Sequence, residues 1–292
     1  MPASTRDIRR RIKSIKNTAQ ITKAMQMVAS SKMRKAQQTA LAGRPFEERM
    51  NKVIVSLRDR VDLGSHGLLE EREVERELVL IITTDKGLCG ALNTNLLREV
   101  GKLDANKTDF VTAGRKGKQY LSRMKRNILA DFELPDSPTF KDTKVVSSFC
   151  IEQFLSGNVD KVTVAFTYFV NTLNQKPVLR PLLPLTPYEL ENVEGNGAKK
   201  EEEAAAGKEY LFEPSASEVL GAILPYYIHF QIYEMALNAR ASEHSARMVA
   251  MKSATDNANE LVKDLTLEYN KIRQAAITTE LLEITTAQMA LG

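Results

Sequence analysis

Ser253-Ala254-Thr255-Asp256-Asn257-Ala258-Asn259-Glu260-Leu261-Val262-Lys263-Asp264-Leu265 belongs to the stretch whose reading decides the fold. From Ser217 to Gly292 there is no glycine between Gly221 and Gly292 and no proline after Pro225. The apolar positions Ala254, Ala258, Leu261, Leu265, Tyr269, Ile272 and Ala276 recur every three or four residues. That is the spacing of one stripe along a helix. Ile277, Leu281 and Ile284 continue as a second stripe. At a rise of roughly 1.5 Å per residue, such a helix reaches on the order of 110 Å, several times the width of a small domain. A rod of that length needs a partner, and the comparable stretch lies at the other end of the chain.

There, Ser4 or Thr5 can cap a helix with Asp7 in its first turn, where the dipole favours a negative charge. Ile8, Ile12 and Ile15 mark one face, and Ile21, Met25 and Val28 carry a stripe of shifted phase through Met33 and Ala36. Gly43-Arg44-Pro45 is a weak point at which the helix kinks or divides before Met50, Val53, Ile54 and Leu57 resume the pattern. Both terminal stretches mix small residues with methionine: Ala24, Met25, Met27 and Ala29 at one end, Ala246, Met248, Ala250 and Met251 at the other. Small residues let helices approach and methionine fills gaps, so an antiparallel coiled coil of the two ends is expected. Residues 1–36 hold ten basic side chains against the single acid Asp7. That excess is either a solvated face or a field that draws in acidic loops or nucleic acid.

Between the rods the pattern changes. Residues 61–76 are charged and turn-like. Leu78 to Thr83 is an unbroken apolar, β-branched run, expected for a strand buried on both faces. The turn Thr84–Gly90 leads to a helix over 91–100. Asp109–Ala113 ends in Gly114-Arg115-Lys116-Gly117 before a helix over 118–124, and a loop rich in proline and aspartate follows. A helix over 145–155, a strand over 162–170 and a returning segment over 176–185 complete a small, mostly parallel α/β, Rossmann-like domain.

The glycines of 84–90 could cradle a phosphate at a helix N-terminus. The loop meets neither the P-loop nor the dinucleotide fingerprint, which favours a tight βα turn. Cys89 has Lys86 nearby but no His, so no nucleophile is evident, and no cofactor is expected. Cys89 and Cys150 lack a paired spacing and read as reduced thiols. His66, His229 and His244 are scattered, as expected of surface or helix-packing residues rather than zinc ligands. No window is apolar enough for a membrane span, and the start lacks a secretory core, reading as mature and cytoplasmic.

The segment 188–209, with its glycines and seven glutamates, reads as a flexible acidic linker or insertion. Glu213–Ser217 supplies a cap, and Tyr226, Tyr227, Phe230 and Tyr233 suit packing on the α/β domain. The expected division is therefore a coiled-coil helix over 1–60, the α/β domain over 77–187, the linker over 188–209 and the long C-terminal helix over 210–292. Beyond Arg273 the only charges are Glu280 and Glu283, among Ile277, Leu281, Leu282, Ile284, Met289 and Leu291. Such a tip outruns its partner helix and calls for a sleeve supplied by another protein.

Four segments resemble the gamma subunits of F-type ATP synthases, bacterial type. They are Ile21-Thr22-Lys23-Ala24-Met25-Gln26-Met27-Val28-Ala29-Ser30-Ser31-Lys32-Met33, Thr84-Asp85-Lys86-Gly87-Leu88-Cys89-Gly90, Ala246-Arg247-Met248-Val249-Ala250-Met251-Lys252 and Tyr269-Asn270-Lys271-Ile272-Arg273-Gln274-Ala275-Ala276-Ile277-Thr278-Thr279-Glu280-Leu281. The resemblance spans the chain and is weakest at 188–209. It implies a non-catalytic central rotor shaft coupling proton flow to ATP synthesis or hydrolysis. The implied partners are the alpha and beta subunits of the catalytic hexamer, epsilon and the ring of c subunits. It implies a peripheral position on the cytoplasmic side of the cell inner membrane, with the membrane reached only through partners, and no nucleic acid. By matching positions, Arg273, Gln274, Thr278 and Glu280 meet the catch loops of beta, and Lys23, Met25, Lys32 and Arg247 form the neck of the coiled coil. A nucleotide-dependent enzyme or a nucleic-acid-binding coiled coil would leave the uncharged tip unexplained.

Overall fold

The computed structural model describes residues 5–58, 66–185, 213 and 215–291. The Ser4 cap, residues 61–65 of the expected turn and the 188–209 linker lie outside them. In chain order the elements are α1 (Thr5–Arg58), β1 (Glu77–Ile82), α2 (Leu92–Val100), β2 (Thr108–Ala113), α3 (Arg115–Arg123), β3 (Ile128–Phe132), α4 (Phe140–Leu155), β4 (Lys161–Phe169), β5 (Gln175–Leu183) and α5 (Ala216–Leu291). The architecture is mixed α/β, with terminal helices of 54 and 76 residues. By internal packing the chain divides into two compact units: Met1–Ser31 with Arg247–Gly292, and Lys32–Ala246.

The second unit is built on a five-stranded sheet of order β3-β2-β1-β4-β5. β1 is central and parallel to both neighbours, Leu80 standing opposite Val111 on β2 and Val164 on β4. Residues two apart on a strand share a face, so Leu78, Leu80 and Ile82 enter one core while Val79 and Ile81 enter another. The second core is closed by Leu96 and Val100 of α2 and Leu121 of α3. The first receives Val146, Cys150 and Phe154 from α4 and Leu224, Tyr227, Ile228 and Ile232 from α5. Because both faces of β1 are covered, its sequence is a continuous apolar run rather than an alternation.

α4 begins at a capping box in which the Thr139 N–H donates to Asp142 Oδ2 at 2.8 Å and the Asp142 N–H returns to Thr139 Oγ1 at 3.4 Å. One feature departs from the sequence reading. Ile128–Phe132, expected as loop, forms β3, an edge strand paired only with β2. Its five residues are too short and too exposed to carry a strand signature. At the opposite edge β5 returns beside β4, as expected, and runs antiparallel to it. α1 is not divided, for Pro45 lies inside it. Next to Pro45, the Phe46 ring packs 5.2 Å from Phe230 and 5.9 Å from Tyr226 between centroids. Tertiary packing of this kind overrides the lost helical hydrogen bond.

Within the α4–α5 contact, Ser147 Oγ lies 2.6 Å from His229 Nδ1. Burial, and next the charge of Lys144, pushes the His229 pKa below its ordinary 6.5. A folded value below the unfolded one means that the unfolded chain takes up the proton first as pH falls. The stability contributed by neutral His229 is therefore complete above the unfolded value and lost as pH falls towards the folded one. Burial shifts His66 in the same direction. Thermal melting should accordingly drop as pH is lowered from about 7 to about 5, and His229→Gln should flatten that drop; an equally steep profile in the variant would rule His229 out as its source.

Candidate functional surfaces

In the first unit the positions withdrawn from solvent on α1 include Ile8, Ile12, Ile15, Ala19, Thr22, Gln26 and Ala29. On α5 they include Met251, Thr255, Ala258, Val262, Leu265, Tyr269 and Ile272. Both series alternate steps of four and three, the heptad spacing of a left-handed coiled coil. Arg9 bonds Tyr269 while Thr22 meets Thr255, so ascending numbers on one helix face descending numbers on the other. The pair is antiparallel.

This seam corrects the stripe read from apolarity. Thr255 and Val262 occupy it, whereas Leu261 and Ala276 are exposed. On α1, Ile21, Met27 and Val28 face solvent at 60%, 60% and 56% exposure, and the shifted phase expected there does not occur. Thr22 and Thr255 are tolerated inside because their hydroxyl oxygens lie 2.7 Å apart, while Thr255 Oγ1 also reaches the Met251 carbonyl at 2.8 Å. Small Ala19 and Ala29 admit the close approach. At the other end of the seam the Arg9 guanidinium lies 5.4 Å from the Tyr269 ring centroid, and its hydrogen bond pulls the phenol's pKa below the usual value.

Lys23 is exposed and donates to Gln26 Oε1 at 3.3 Å, while Met25 and Arg247 are half-buried. All three belong to the first unit, whereas Lys32 belongs to the second, where it pairs with Asp136. The four residues expected at the neck are thus divided between the two units. Arg273, Gln274, Thr278 and Glu280 all lie on the exposed end of α5. Arg273 and Glu280 share a row with Ile277; Gln274 and Thr278 share the adjacent row with Leu281. Thr278 Oγ1 donates to the Gln274 carbonyl at 2.9 Å, and Thr279, Thr285 and Thr286 make equivalent bonds within the helix. Every residue from Arg273 to Met289 is exposed, Leu281, Leu282 and Ile284 at 59%, 60% and 57%.

The glycine turns after β1 and β2 occupy each other. Arg115 N–H donates to Asp85 Oδ1 at 3.0 Å, Lys116 N–H to the Thr84 carbonyl at 3.1 Å and Gly117 N–H to Thr83 Oγ1 at 2.9 Å. The first amides of α3, which would hold a phosphate, are already bonded to the other loop. Leu88 adopts a φ of 64° in the same turn and is exposed, while Cys89 is buried. Burial pushes the Cys150 thiol up to about 12. Among the described residues, no cluster of His, Cys, Asp or Glu could hold a metal ion, and no helix is long and apolar enough to cross a membrane.

A sequence profile of the family described as ATP synthase matches residues 4–291, nearly the whole chain. The gamma chain of Methylacidiphilum infernorum is 51% identical, over 99% of this chain and 100% of that one. The chain belongs to the ATP synthase gamma-subunit family. The gamma chain of Opitutus terrae is 50% identical over 99% of both chains. The fold also matches chains in solved mitochondrial ATP synthases. One, from the central stalk and c-ring of Tetrahymena thermophila, has a TM-score of 0.59 at 24% identity and covers 80% of this chain and 99% of that one. Another, from Euglena gracilis, has a TM-score of 0.67 at 20% identity and covers 98% and 94%. As a gamma subunit, the chain is the rotor-shaft component of its complex and not the catalytic one.

The seam and the turns each support a prediction. Thr22→Val should cost about 0.5–1.5 kcal/mol, and Thr22→Val/Thr255→Val less than the sum of the two single changes, because the contact between the hydroxyls is lost only once. Additive costs in chemical denaturation would show that the hydroxyls do not interact. Gly114 has φ 124°, and a Cβ there would lie 2.3 Å from the Thr83 carbonyl oxygen. Gly114→Ala should therefore destabilise by about 2–4 kcal/mol, read as a lower denaturant midpoint at unchanged slope.

Proposed function

We propose that the paired terminal helices of this gamma subunit stand within a hexamer of alternating alpha and beta subunits, with Arg273, Gln274, Thr278 and Glu280 at the catch loops of beta. Lys23, Met25, Lys32 and Arg247 form the neck. The α/β domain, residues 77–187, sits towards epsilon and the c-ring, and 188–209 is an acidic insertion between it and the helix over 210–292. Proton flow turns the ring and the shaft, and each beta subunit meets a different face of the shaft in turn. A ligand-free asymmetric rod can bias each beta between open and closed states only through such differential contact. The site of action is the cytoplasmic side of the bacterial cell membrane, reached through partners.

One observation carries this reading. The end of α5 exposes Ile277, Leu281, Leu282, Ile284 and Met289 together. An apolar surface of that extent marks a protein-binding site. Its charges are few, and its threonine hydroxyls are bonded to their own helix, which leaves a surface suited to turning inside a sleeve without strong orientation-specific bonds. The basic helix α1 complements an acidic loop on beta through long-range attraction.

Arg273 and Gln274 provide the test. In complexes reassembled with alpha and beta, Arg273→Ala/Gln274→Ala should lower the hydrolysis rate and the stall torque, the rate by about tenfold or more if each lost polar contact is worth roughly 1 kcal/mol. Unchanged torque with weakened assembly would assign the two residues to binding alone.

A further inference from the structure

The parallel strands of the second unit direct their carboxyl ends at one crevice. Along the order β3-β2-β1-β4-β5, the chain reverses direction across the sheet between β1 and β4. Open α/β sheets take their ligands at such a switch point. Here α5 fills it. Ser242 Oγ donates to the Thr167 carbonyl at the end of β4 at 3.0 Å. Arg240 Nη2 donates to the Leu134 carbonyl beyond β3 and lies 3.8 Å from Asp85 Oδ2 in the turn after β1. Arg240 Nη1 donates to Glu243 Oε2 at 2.7 Å, and both side chains are about 95% buried. Asp85 is itself held by the Arg115 N–H. Beside this group Lys32 of α1 pairs with Asp136, and that hydrogen bond holds the Asp136 carboxyl below the usual range against the opposing effect of burial. The charges of His244 and Arg240 act on Asp136 in the same direction.

We propose that Arg240, braced by Glu243, is a positioning residue that fixes the rotational setting of α5 on the sheet, so that force taken up by the α/β unit passes into the helix without slippage. The inference rests on the shaft reading above. An apolar contact in this place would hold the helix equally well but tolerate its turning, because burial of apolar area is non-directional. Hydrogen bonds weaken steeply with angle, and the planar guanidinium fork fixes two directions at once. Buried ion pairs add little to stability over an apolar replacement, so their contribution here is to register. The location suits the role. Arg240 to Ser245 are among the last residues of α5 in the second unit, which ends at Ala246.

The test uses the full chain assembled with alpha, beta and the membrane sector. Arg240→Met/Glu243→Met removes both charges of the pair together, and Asp85, which also loses the guanidinium, keeps its bond from the Arg115 N–H. We expect parent-like melting, one copy per hexamer and parent-like ATP hydrolysis. Torsional stiffness, read from the angular fluctuations of a bead on the α/β unit, should fall about twofold, and protons pumped per ATP should fall with it. Parent-like stiffness and pumping would overturn the proposal. If the double variant does not fold, Arg240→Lys gives the answer. It keeps the charge but cannot span Glu243 and Leu134 together, so milder loosening supports the proposal and unchanged stiffness overturns it. Failure of the unaltered chain to enter the hexamer would instead refute the shaft reading.

Discussion

A helix of 76 residues cannot bury an apolar face against itself, and the arrangement of this chain follows from how α5 finds cover along its length. Its first third presents Leu224, Tyr227, Ile228 and Ile232 to the sheet. Its middle presents a narrow heptad seam to α1, where Thr22 meets Thr255 and Arg9 meets Tyr269. From Arg273 to Met289 the described chain offers it no cover. Side-chain size tracks these changes: large aromatics against a broad face, alanine and threonine where two backbones approach, and isolated leucines and isoleucines where another subunit must complete the burial.

The α/β unit has a sheet and glycine turns of the kind that bind nucleotides elsewhere, yet its polar groups are turned inward. The amides at the start of α3 bond to Thr83, Thr84 and Asp85, and the crevice at the strand ends holds Arg240 with Glu243. Groups that would recognise a ligand thus recognise other parts of the same chain. This suits a non-catalytic member of a complex, and it shows why a fold alone does not define an activity.

Much of this was legible in the sequence. The two long helices, the central strand and the unpartnered tip follow from the absence of helix breakers, from periodicity and from the loss of charge after Arg273, all of which are local properties. β3 was not legible, since a five-residue exposed edge strand has no distinctive pattern. The seam was legible at Ile8, Ile12 and Ile15 and at Ala258, Leu265, Tyr269 and Ile272, but not at every position. Ile21, Val28 and Leu261 look like core residues and face solvent, while Thr22 and Thr255 look like surface residues and lie inside. Arg240 and Glu243 stand three apart on a helix, a spacing that by itself gives no sign of burial.

The sequence by itself determined which segments are helix or strand, how long the terminal helices run and which family the chain resembles, because these depend on residue order and short-range spacing. Only the tertiary structure decided which side of each helix is buried, which loops bond to each other and where a buried charge finds its counter-charge. Those outcomes depend on groups distant in sequence: Thr22 and Thr255 share the buried seam with their hydroxyl oxygens 2.7 Å apart. Likewise, the buried Arg240 is tolerated because Glu243 on its own helix, the Leu134 carbonyl and the Asp85 carboxylate of the turn after β1 converge on it.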